Sequence, residues 1–245
     1  MAPLLEVHGL AKRFGGLQAV RDLSFTVGER EIVALIGPNG AGKTTAFALI
    51  AGFLAPDAGS VRFAGRDIRG LPPHAVNALG LARTFQIMRP FPRLTVLRNV
   101  MIATLGRHPD VPEAERRARA VLDEVGLGPR ADLPAGTLTL AERKRLELAR
   151  ALGTEPRLLL LDEVMSGLTE AETERIVALV RAINARGVAV LLIEHVMRAV
   201  MSLAQRIVVL NYGERIAEGS PQAVASDPRV IEAYLGDEEV AGAPA

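Results

Sequence analysis

The chain has 245 residues, of which 49% are hydrophobic, and its formal net charge is only +1. Such a balance gives no strong global field to attract nucleic acid, and we expect no nucleic-acid partner. Because the sequence contains no cysteine, thiol catalysis, zinc-thiolate sites and disulfide bonds are excluded. Glu6 and His8 interrupt the apolar N-terminal stretch that a signal peptide needs, and the apolar runs are far shorter than the ~20 residues that span a bilayer.

The first predicted elements are short antiparallel strands within residues 4–27. Polar and apolar residues alternate there, and the pair Gly15 and Gly16 breaks the alternation. An apolar strand follows at residues 31–36, then the glycine-rich turn GPNGAGKTT, and then the helix-like apolar segment 46–50. A glycine-rich turn between a strand and a helix is the setting of a phosphate-binding P-loop.

The residue types of this turn suit phosphate binding. Glycines let successive backbone N–H groups converge on an anion at the positive end of the following helix. Lys43 supplies a mobile charge for the β- and γ-phosphates, and Thr44 places a hydroxyl where Mg²⁺ would sit. The expected binding residues are Gly37, Asn39, Gly40, Ala41, Gly42, Lys43, Thr44 and Thr45. The alternative, a chance glycine turn before a helix, is disfavoured by the flanking strand and helix.

Beyond the loop, the pattern predicts an α/β fold with a helical insertion. A short strand is expected at 59–65, and after Pro90 and Pro92 the pattern turns helical, at 95–104, 113–125 and 141–152. Strands at 158–161, 188–193 and 206–210 then alternate with helices at 171–185 and 196–203. This order predicts a mainly parallel sheet flanked by helices, an N-terminal antiparallel β subdomain and a helical subdomain at about 87–152. We expect one domain at 1–236 and a flexible tail at 237–245.

Two adjacent carboxylates follow the predicted strand at residues 158–161. Four leucines, 158–161, end directly on Asp162 and Glu163. Ligands of open parallel sheets bind beyond the carboxyl ends of the strands, so both acids should lie beside the P-loop. Asp162 can then hold Mg²⁺ through its water shell, while Glu163 can orient or deprotonate the water that attacks the γ-phosphate. The alternative is that both acids only solvate a strand end.

With three further residues the motif set resembles the ATP-binding subunits of ABC transporters, over residues 5–236. Gln86, in the segment RTFQIM, matches the glutamine of that family's Q-loop, which implies a role in sensing Mg²⁺ and the attacking water. His195, in IEHVM, matches the switch histidine that contacts the γ-phosphate, although a histidine after a strand is more often a surface residue. Phe14 matches the aromatic that stacks on adenine, although such a residue is more often core. The resemblance implies a P-loop NTPase fold of ABC type with ATP and Mg²⁺ as ligands.

The segment that should carry the family's signature departs from its usual LSGGQ. Thr139 keeps a hydroxyl, but Leu140 and Ala141 replace glycines and Glu142 replaces glutamine. In this family the signature of one subunit closes over the ATP of a second subunit, so these four residues are expected to bind nucleotide in trans. We hypothesise that two β-carbons and a carboxylate weaken this contribution. An equally open alternative is that a small shift accommodates Ala141 and activity is normal. Thr169 also stands where the family commonly has Asp.

The resemblance also implies partners in a membrane complex. The proline-stiffened apolar segment 88–96 occupies the region that meets the permease subunits in this family, although it is also compatible with an ordinary exposed loop. The basic run 143–145 is interleaved with acids, which favours a solvated helix face over a nucleic-acid patch. We expect transmembrane permease subunits, a second ATPase subunit and, indirectly, a substrate-binding protein. The chain should then be peripheral on the cytoplasmic face of the membrane.

Several segments are similar to the branch of the family that serves branched-chain amino acid importers. They are RTFQIM at 83–88, LTV at 94–96, IEHVM at 193–197 and VIEAYLG at 230–236. Importers of urea, amides and aromatic acids have similar ATPases, and they remain alternatives. A soluble ABC-type switch in translation or DNA repair is a second class, although those proteins usually carry two cassettes or a long coiled coil. A P-loop small-molecule kinase would leave Gln86, Glu163 and His195 without a shared role.

Overall fold

The computed structural model describes residues 2–85 and 90–241, with side chains described as far as residue 234. The strands in this part are β1 (Leu5–Phe14), β2 (Leu17–Val27), β3 (Ile32–Ile36), β4 (Ala58–Phe63), β5 (Arg66–Asp67), β6 (Leu81–Arg83), β7 (Leu158–Asp162), β8 (Ala189–Ile193), β9 (Arg206–Asn211) and β10 (Glu214–Gly219). The α-helices are α1 (Lys43–Ile50), α2 (Pro73–Ala78), α3 (Val96–Leu105), α4 (Val111–Glu124), α5 (Leu140–Leu152), α6 (Glu170–Ala185), α7 (Met197–Leu203), α8 (Pro221–Ala225) and α9 (Pro228–Ala241).

The strands form two sheets of different kind. The first is antiparallel in the order β2-β1-β4-β5, and the second has the order β10-β9-β3-β8-β7-β6. In the second sheet every described pairing is parallel except that of β10 with β9. The predicted mainly parallel sheet and N-terminal antiparallel sheet are confirmed, and β4 and β5, which follow the P-loop, complete the antiparallel sheet.

Alternate residues of the central strands face two separate hydrophobic cores. Val33 and Leu35 pack in one core with α1 and the antiparallel sheet. Ile32, Ala34 and Ile36 pack in the other with helices α3 to α6. All residues of β3, β7 and β8 are buried, which explains why these strands appear in the sequence as continuous apolar runs. The helices α3, α4 and α5 fall within the predicted insertion.

Several elements are not predicted by the sequence pattern. They are β6, β10, α2, α8 and α9, each of which lacks a long periodic pattern or lies near a glycine or proline. The helix α9 continues through Ala241 and so enters the segment 237–245 that the sequence predicts to be a flexible tail. That mobility stays a prediction. Within residues 2–85 and 90–241, none of the helices combines the length and apolar character needed to cross a bilayer.

Candidate functional site

A cleft of about 480 Å³ opens at the carboxyl edge of the parallel sheet. Its walls come from the β1–β2 hairpin, the P-loop, the loops after β7 and β8, and the β9–β10 turn. The lining residues are Phe14, Leu17, Gln18, Ala19, Arg21, Asn39, Gly40, Ala41, Gly42, Lys43, Thr44, Thr45, Glu163, His195 and Tyr212. The structure therefore brings together the predicted loop, the predicted carboxylate Glu163, the histidine and the aromatic Phe14.

Two glycines of the P-loop are required by close backbone packing, and a third by its backbone conformation. A β-carbon at Gly42 would lie 2.3 Å from the carbonyl oxygen of Ala19, and one at Gly37 would lie 2.1 Å from that of Leu210. Gly40 has φ +78 and open space around it, so it is needed for its backbone conformation alone. The loop thus takes a curled path that other residues cannot follow, as a phosphate-binding loop requires.

Lys43 is folded back onto this loop. Its Nζ donates to the carbonyl oxygens of Gly37, at 2.6 Å, and Pro38, at 2.8 Å. The side chain is only 6% exposed. These carbonyls hold the ammonium beside the cavity, where its charge can meet the phosphates of a nucleotide.

Asp162 lies beneath the cleft and is 1% exposed. Its Oδ2 accepts a hydrogen bond of 2.7 Å from Nη2 of Arg83, and its backbone N–H donates to the hydroxyl of Thr84 at 3.1 Å. The Arg83 guanidinium also lies over the ring of Phe85, 5.4 Å from its centroid. Asp162 Oδ1 is buried and has no hydrogen-bond partner among the described residues. Such an oxygen is compatible with a further ligand that supplies positive charge or a donor.

Glu163 points into the cleft, and its Oε1 lies 3.0 Å from Nε2 of His195. Glu163 has a left-handed backbone conformation with φ +50. Its N–H donates to the carbonyl of Ile193 at 3.0 Å, and its own carbonyl accepts from Nζ of Lys144 at 2.8 Å. The parallel strands β7 and β8 therefore deliver a carboxylate and an imidazole to one point, facing the P-loop.

Phe14 ends β1 at the mouth of the cleft and is 46% exposed. The ammonium of Lys12 lies over its ring, 5.8 Å from the centroid. Tyr212, in the β9–β10 turn, borders the same cleft. No motif in the sequence marks this tyrosine, because its position depends on the pairing of distant strands.

Several residues predicted to belong to the site do not line this cleft, among them Gly37 and the buried Asp162. Gln86 lies outside the described residues, as does Met88 of the segment expected to meet a permease. The residues Thr139 to Glu142 do not line the cleft of their own chain. Their contribution in trans stays a prediction.

The segment at 139–142 forms a helix cap. Thr139 Oγ1 accepts from the N–H of Glu142 at 3.3 Å, and Glu142 Oε2 accepts from the N–H of Thr139 at 2.9 Å. This reciprocal capping box begins α5. The N–H of Thr139, together with Arg130, lowers the pKa of Glu142. The Thr-x-x-Glu spacing in the sequence is typical of a capping box. It gives the carboxylate of Glu142 a structural role that the comparison with LSGGQ alone does not reveal.

Sequence reasoning also missed Glu194, which is 1% exposed directly before His195. Its Oε1 accepts from the N–H of Met165 at 2.8 Å, while its Oε2 is buried without a hydrogen-bond partner in the described part. Burial raises the pKa of Glu194 to about 7. An acid at a strand end resembles a solvated residue in sequence, and only the fold shows that this one points inward.

The raised pKa of Glu194 predicts a pH-dependent stability. The folded protein keeps this proton at pH values where the unfolded chain, with a pKa near 4.5, has lost it. The protonated carboxyl group therefore contributes to the free energy of unfolding. This contribution is complete below pH 4.5 and is lost as the pH rises through 7. Relative to Glu194→Gln, the wild type should lose on the order of 2–3 kcal/mol of unfolding free energy between pH 5 and pH 8. Urea denaturation of both proteins at the two pH values measures this, and an equal difference at both would contradict it.

Comparison with known proteins agrees with this geometry. The family model described as ABC transporter matches residues 20–166, and one described as branched-chain amino acid ATP-binding cassette transporter matches 214–240. The high-affinity branched-chain amino acid transport ATP-binding protein BraF of Pseudomonas aeruginosa is 42% identical, covering 96% of this chain and 98% of its own. The lipopolysaccharide export system ATP-binding protein LptB of Acidithiobacillus ferridurans is 37% identical, covering 97% and 99%.

A solved structure gives the same result for the fold. The ADP conformation of an ATP-binding cassette of an ABC transporter matches with a TM-score of 0.88 and 32% identity, over 96% of this chain and 100% of that one. The resemblance inferred from the motifs is therefore confirmed. The chain belongs to the ABC transporter family, as a nucleotide-binding subunit whose ATP hydrolysis powers transport.

Proposed function

We propose that this chain powers an importer of branched-chain or other hydrophobic amino acids, and that Glu163 and His195 carry out hydrolysis at the P-loop. The observation that carries the catalytic part is the 3.0 Å contact between Glu163 Oε1 and His195 Nε2 in the cleft that the P-loop lines. The substrate class is supported by the similarity to BraF and by the family model at 214–240.

The proposed reaction uses the groups of the cleft in sequence. The N–H groups of residues 39–45 and the ammonium of Lys43 hold the phosphates of ATP. The oxygen of the attacking water bonds to the γ-phosphorus while Glu163 accepts a proton from that water. The bond between the γ-phosphorus and the oxygen of the leaving ADP breaks. His195 orients the Glu163 carboxylate and contacts the γ-phosphate. Phe14 is positioned at the mouth of the cleft to stack on adenine.

Mg²⁺ fits the residues present. Asp162 offers a buried oxygen without a hydrogen-bond partner, and Thr44 lies in the cleft wall. We propose that Thr44, Asp162 and Gln86 hold the ion, which when bound neutralises charge on the phosphate oxygens. Release of Asp162 from Arg83 is not required, because Arg83 hydrogen-bonds to Oδ2 and not to Oδ1.

The site is proposed to be completed by a second ATPase subunit, either a second copy or a paralogue. Residues 139–142 would face the ATP held by the partner's P-loop, since they do not face their own. The segment around 88–96 is the proposed contact with a permease in the membrane. The chain would then be a peripheral subunit on the cytoplasmic face.

Replacing Glu163 by glutamine should abolish hydrolysis and preserve binding. The amide cannot accept the proton, so we expect ATP turnover to fall about 100-fold or more, while the P-loop contacts that set ATP affinity are unchanged. Phosphate release and ATP binding by titration measure the two quantities. Glu170→Gln, at an exposed acid at the start of α6, is the matched control and should behave as wild type. Turnover within threefold of wild type in Glu163→Gln would exclude this residue as the base.

The signature hypothesis is tested by the double substitution Ala141→Gly, Glu142→Gln. If the β-carbon and carboxylate obstruct the partner's phosphates, ATP turnover of the dimer should rise several-fold. The chain contains a matched control, because Thr169 to Glu172 form a capping box with the same hydrogen-bond lengths of 3.3 and 2.9 Å at the start of α6. Ala171→Gly, Glu172→Gln therefore makes the same chemical change at a helix start that is not the signature. Unchanged turnover in the first variant, or an equal rise in both, would reject the hypothesis.

The transport assignment predicts a specific membrane partner and stimulus. An affinity-tagged chain, co-expressed with its neighbouring genes, should co-purify from detergent-solubilised membranes with a hydrophobic permease. In vesicles with the substrate-binding subunit, leucine, isoleucine or valine should raise ATP turnover, because substrate binding promotes closure of the ATPase dimer. Stimulation by urea or amides instead would overturn the amino-acid assignment. Purification without any membrane subunit would favour a switch that is not coupled to transport.

A further inference from the structure

Two buried ionisable side chains from distant parts of the chain hydrogen-bond to the loop that carries Glu163. Lys144 of α5 is 5% exposed, and Glu194, between β8 and α7, is 1% exposed. Neither lines the nucleotide cleft. Burying such groups is costly unless they make specific hydrogen bonds, so their contacts indicate what they do.

Each side chain makes one hydrogen bond to the backbone of the segment 163–165. Nζ of Lys144 donates to the carbonyl oxygen of Glu163 at 2.8 Å. Oε1 of Glu194 accepts from the N–H of Met165, also at 2.8 Å. The segment 163–165 is thus held at its first carbonyl and at its last amide, while the side chain of Glu163 itself extends to His195.

This segment needs such support because its backbone is strained. Glu163 has φ +50, a left-handed conformation that is unfavourable for a residue with a β-carbon. A strained residue keeps its conformation only where the surroundings over-determine it. If the backbone relaxed, the Cα–Cβ bond of Glu163 would turn and its carboxylate would leave the position 3.0 Å from His195 Nε2.

The electrostatics of the pair agree with this arrangement. Burial lowers the pKa of Lys144 and raises that of Glu194, and in each case the opposite charge of the other group counteracts the shift. Each group therefore makes the burial of the other less costly. Lys144 belongs to α5, the helix that begins with the signature segment, and Glu194 directly precedes His195. The two side chains therefore connect α5 and the end of β8 to the segment 163–165.

We propose that Glu194 and Lys144 are positioning residues that fix the backbone of 163–165 and thereby aim the Glu163 carboxylate at the attacking water. This inference rests on the proposed catalytic role of Glu163. The competing possibility is that the two residues only stabilise the fold, in which case substitutions would lower the melting temperature and leave turnover per folded molecule unchanged.

Two conservative substitutions at Glu194 separate position from charge. Glu194→Gln keeps the length and an acceptor oxygen for Met165 but removes the charge. Glu194→Asp keeps the charge but withdraws the carboxyl group by one methylene. If positioning is the function, kcat should stay within about threefold of wild type in the Gln variant and fall about tenfold in the Asp variant. The affinity for ATP should be unchanged in both, since Glu194 does not line the cleft.

The measurement is ATP turnover at saturating ATP, with ATP affinity and thermal unfolding recorded on the same preparations. Lys144→Met, which removes the donor to the Glu163 carbonyl, should also lower kcat about tenfold at unchanged ATP affinity. Glu174→Asp, at an exposed acid of α6, is the control for the loss of a methylene and should match wild type.

The outcomes are distinct. A normal kcat in Glu194→Asp overturns the inference, because the length of the side chain then does not matter. If kcat is also low in Glu194→Gln, the charge alone matters. Parallel losses of ATP affinity overturn it as well. If the wild type hydrolyses ATP and Glu163→Gln does not, these results concern the positioning pair alone. If the wild type does not hydrolyse ATP, the proposed function itself fails.

Discussion

The register between β7 and β8 is the constraint on which the arrangement of side chains at the cleft depends. Asp162 lies opposite Ile193 in this parallel pair, so Glu163, directly after β7, and His195, two residues after β8, leave the sheet close to each other. The strand β3 pairs with β8 on its other side and delivers the P-loop to that edge. A slip by one residue would turn every side chain to the opposite face. Different side chains of these strands pack in the two hydrophobic cores, so such a slip would disrupt the packing of both.

The parts of the molecule that the sequence reveals are those set by local pattern. Continuous apolar runs predicted β3, β7 and β8, the glycine spacing predicted the P-loop, and an acid or histidine after a strand predicted which side chains would meet at the sheet edge. The motif order also indicated the family. These inferences succeed because each depends on a few neighbouring residues and on one general rule about parallel sheets.

What the sequence does not reveal depends on contacts between distant segments. Nothing near Arg83 shows that it will pair with Asp162, and nothing near Lys144 shows that it will reach the carbonyl of Glu163. Glu194 looks in sequence like any acid beside a histidine, yet it is buried beneath the loop that follows β7. In the described part of the chain, buried side-chain atoms without hydrogen-bond partners and the left-handed backbone of Glu163 lie close to the cleft. Such locally unfavourable features are common where a site needs a fixed geometry.

The capping box at the start of α5 has a consequence for how this helix can meet an anion. The first turn of a helix offers amide N–H groups that lack partners within the helix, and they are the donors by which a helix end binds phosphate. In α5 the N–H of Glu142 is already taken by Thr139, and the N–H of Thr139 is taken by Glu142. The capping box does not use the amides of Leu140 and Ala141. A phosphate approaching this helix would therefore find two donors on consecutive residues, framed by a carboxylate that Arg130 holds to one side.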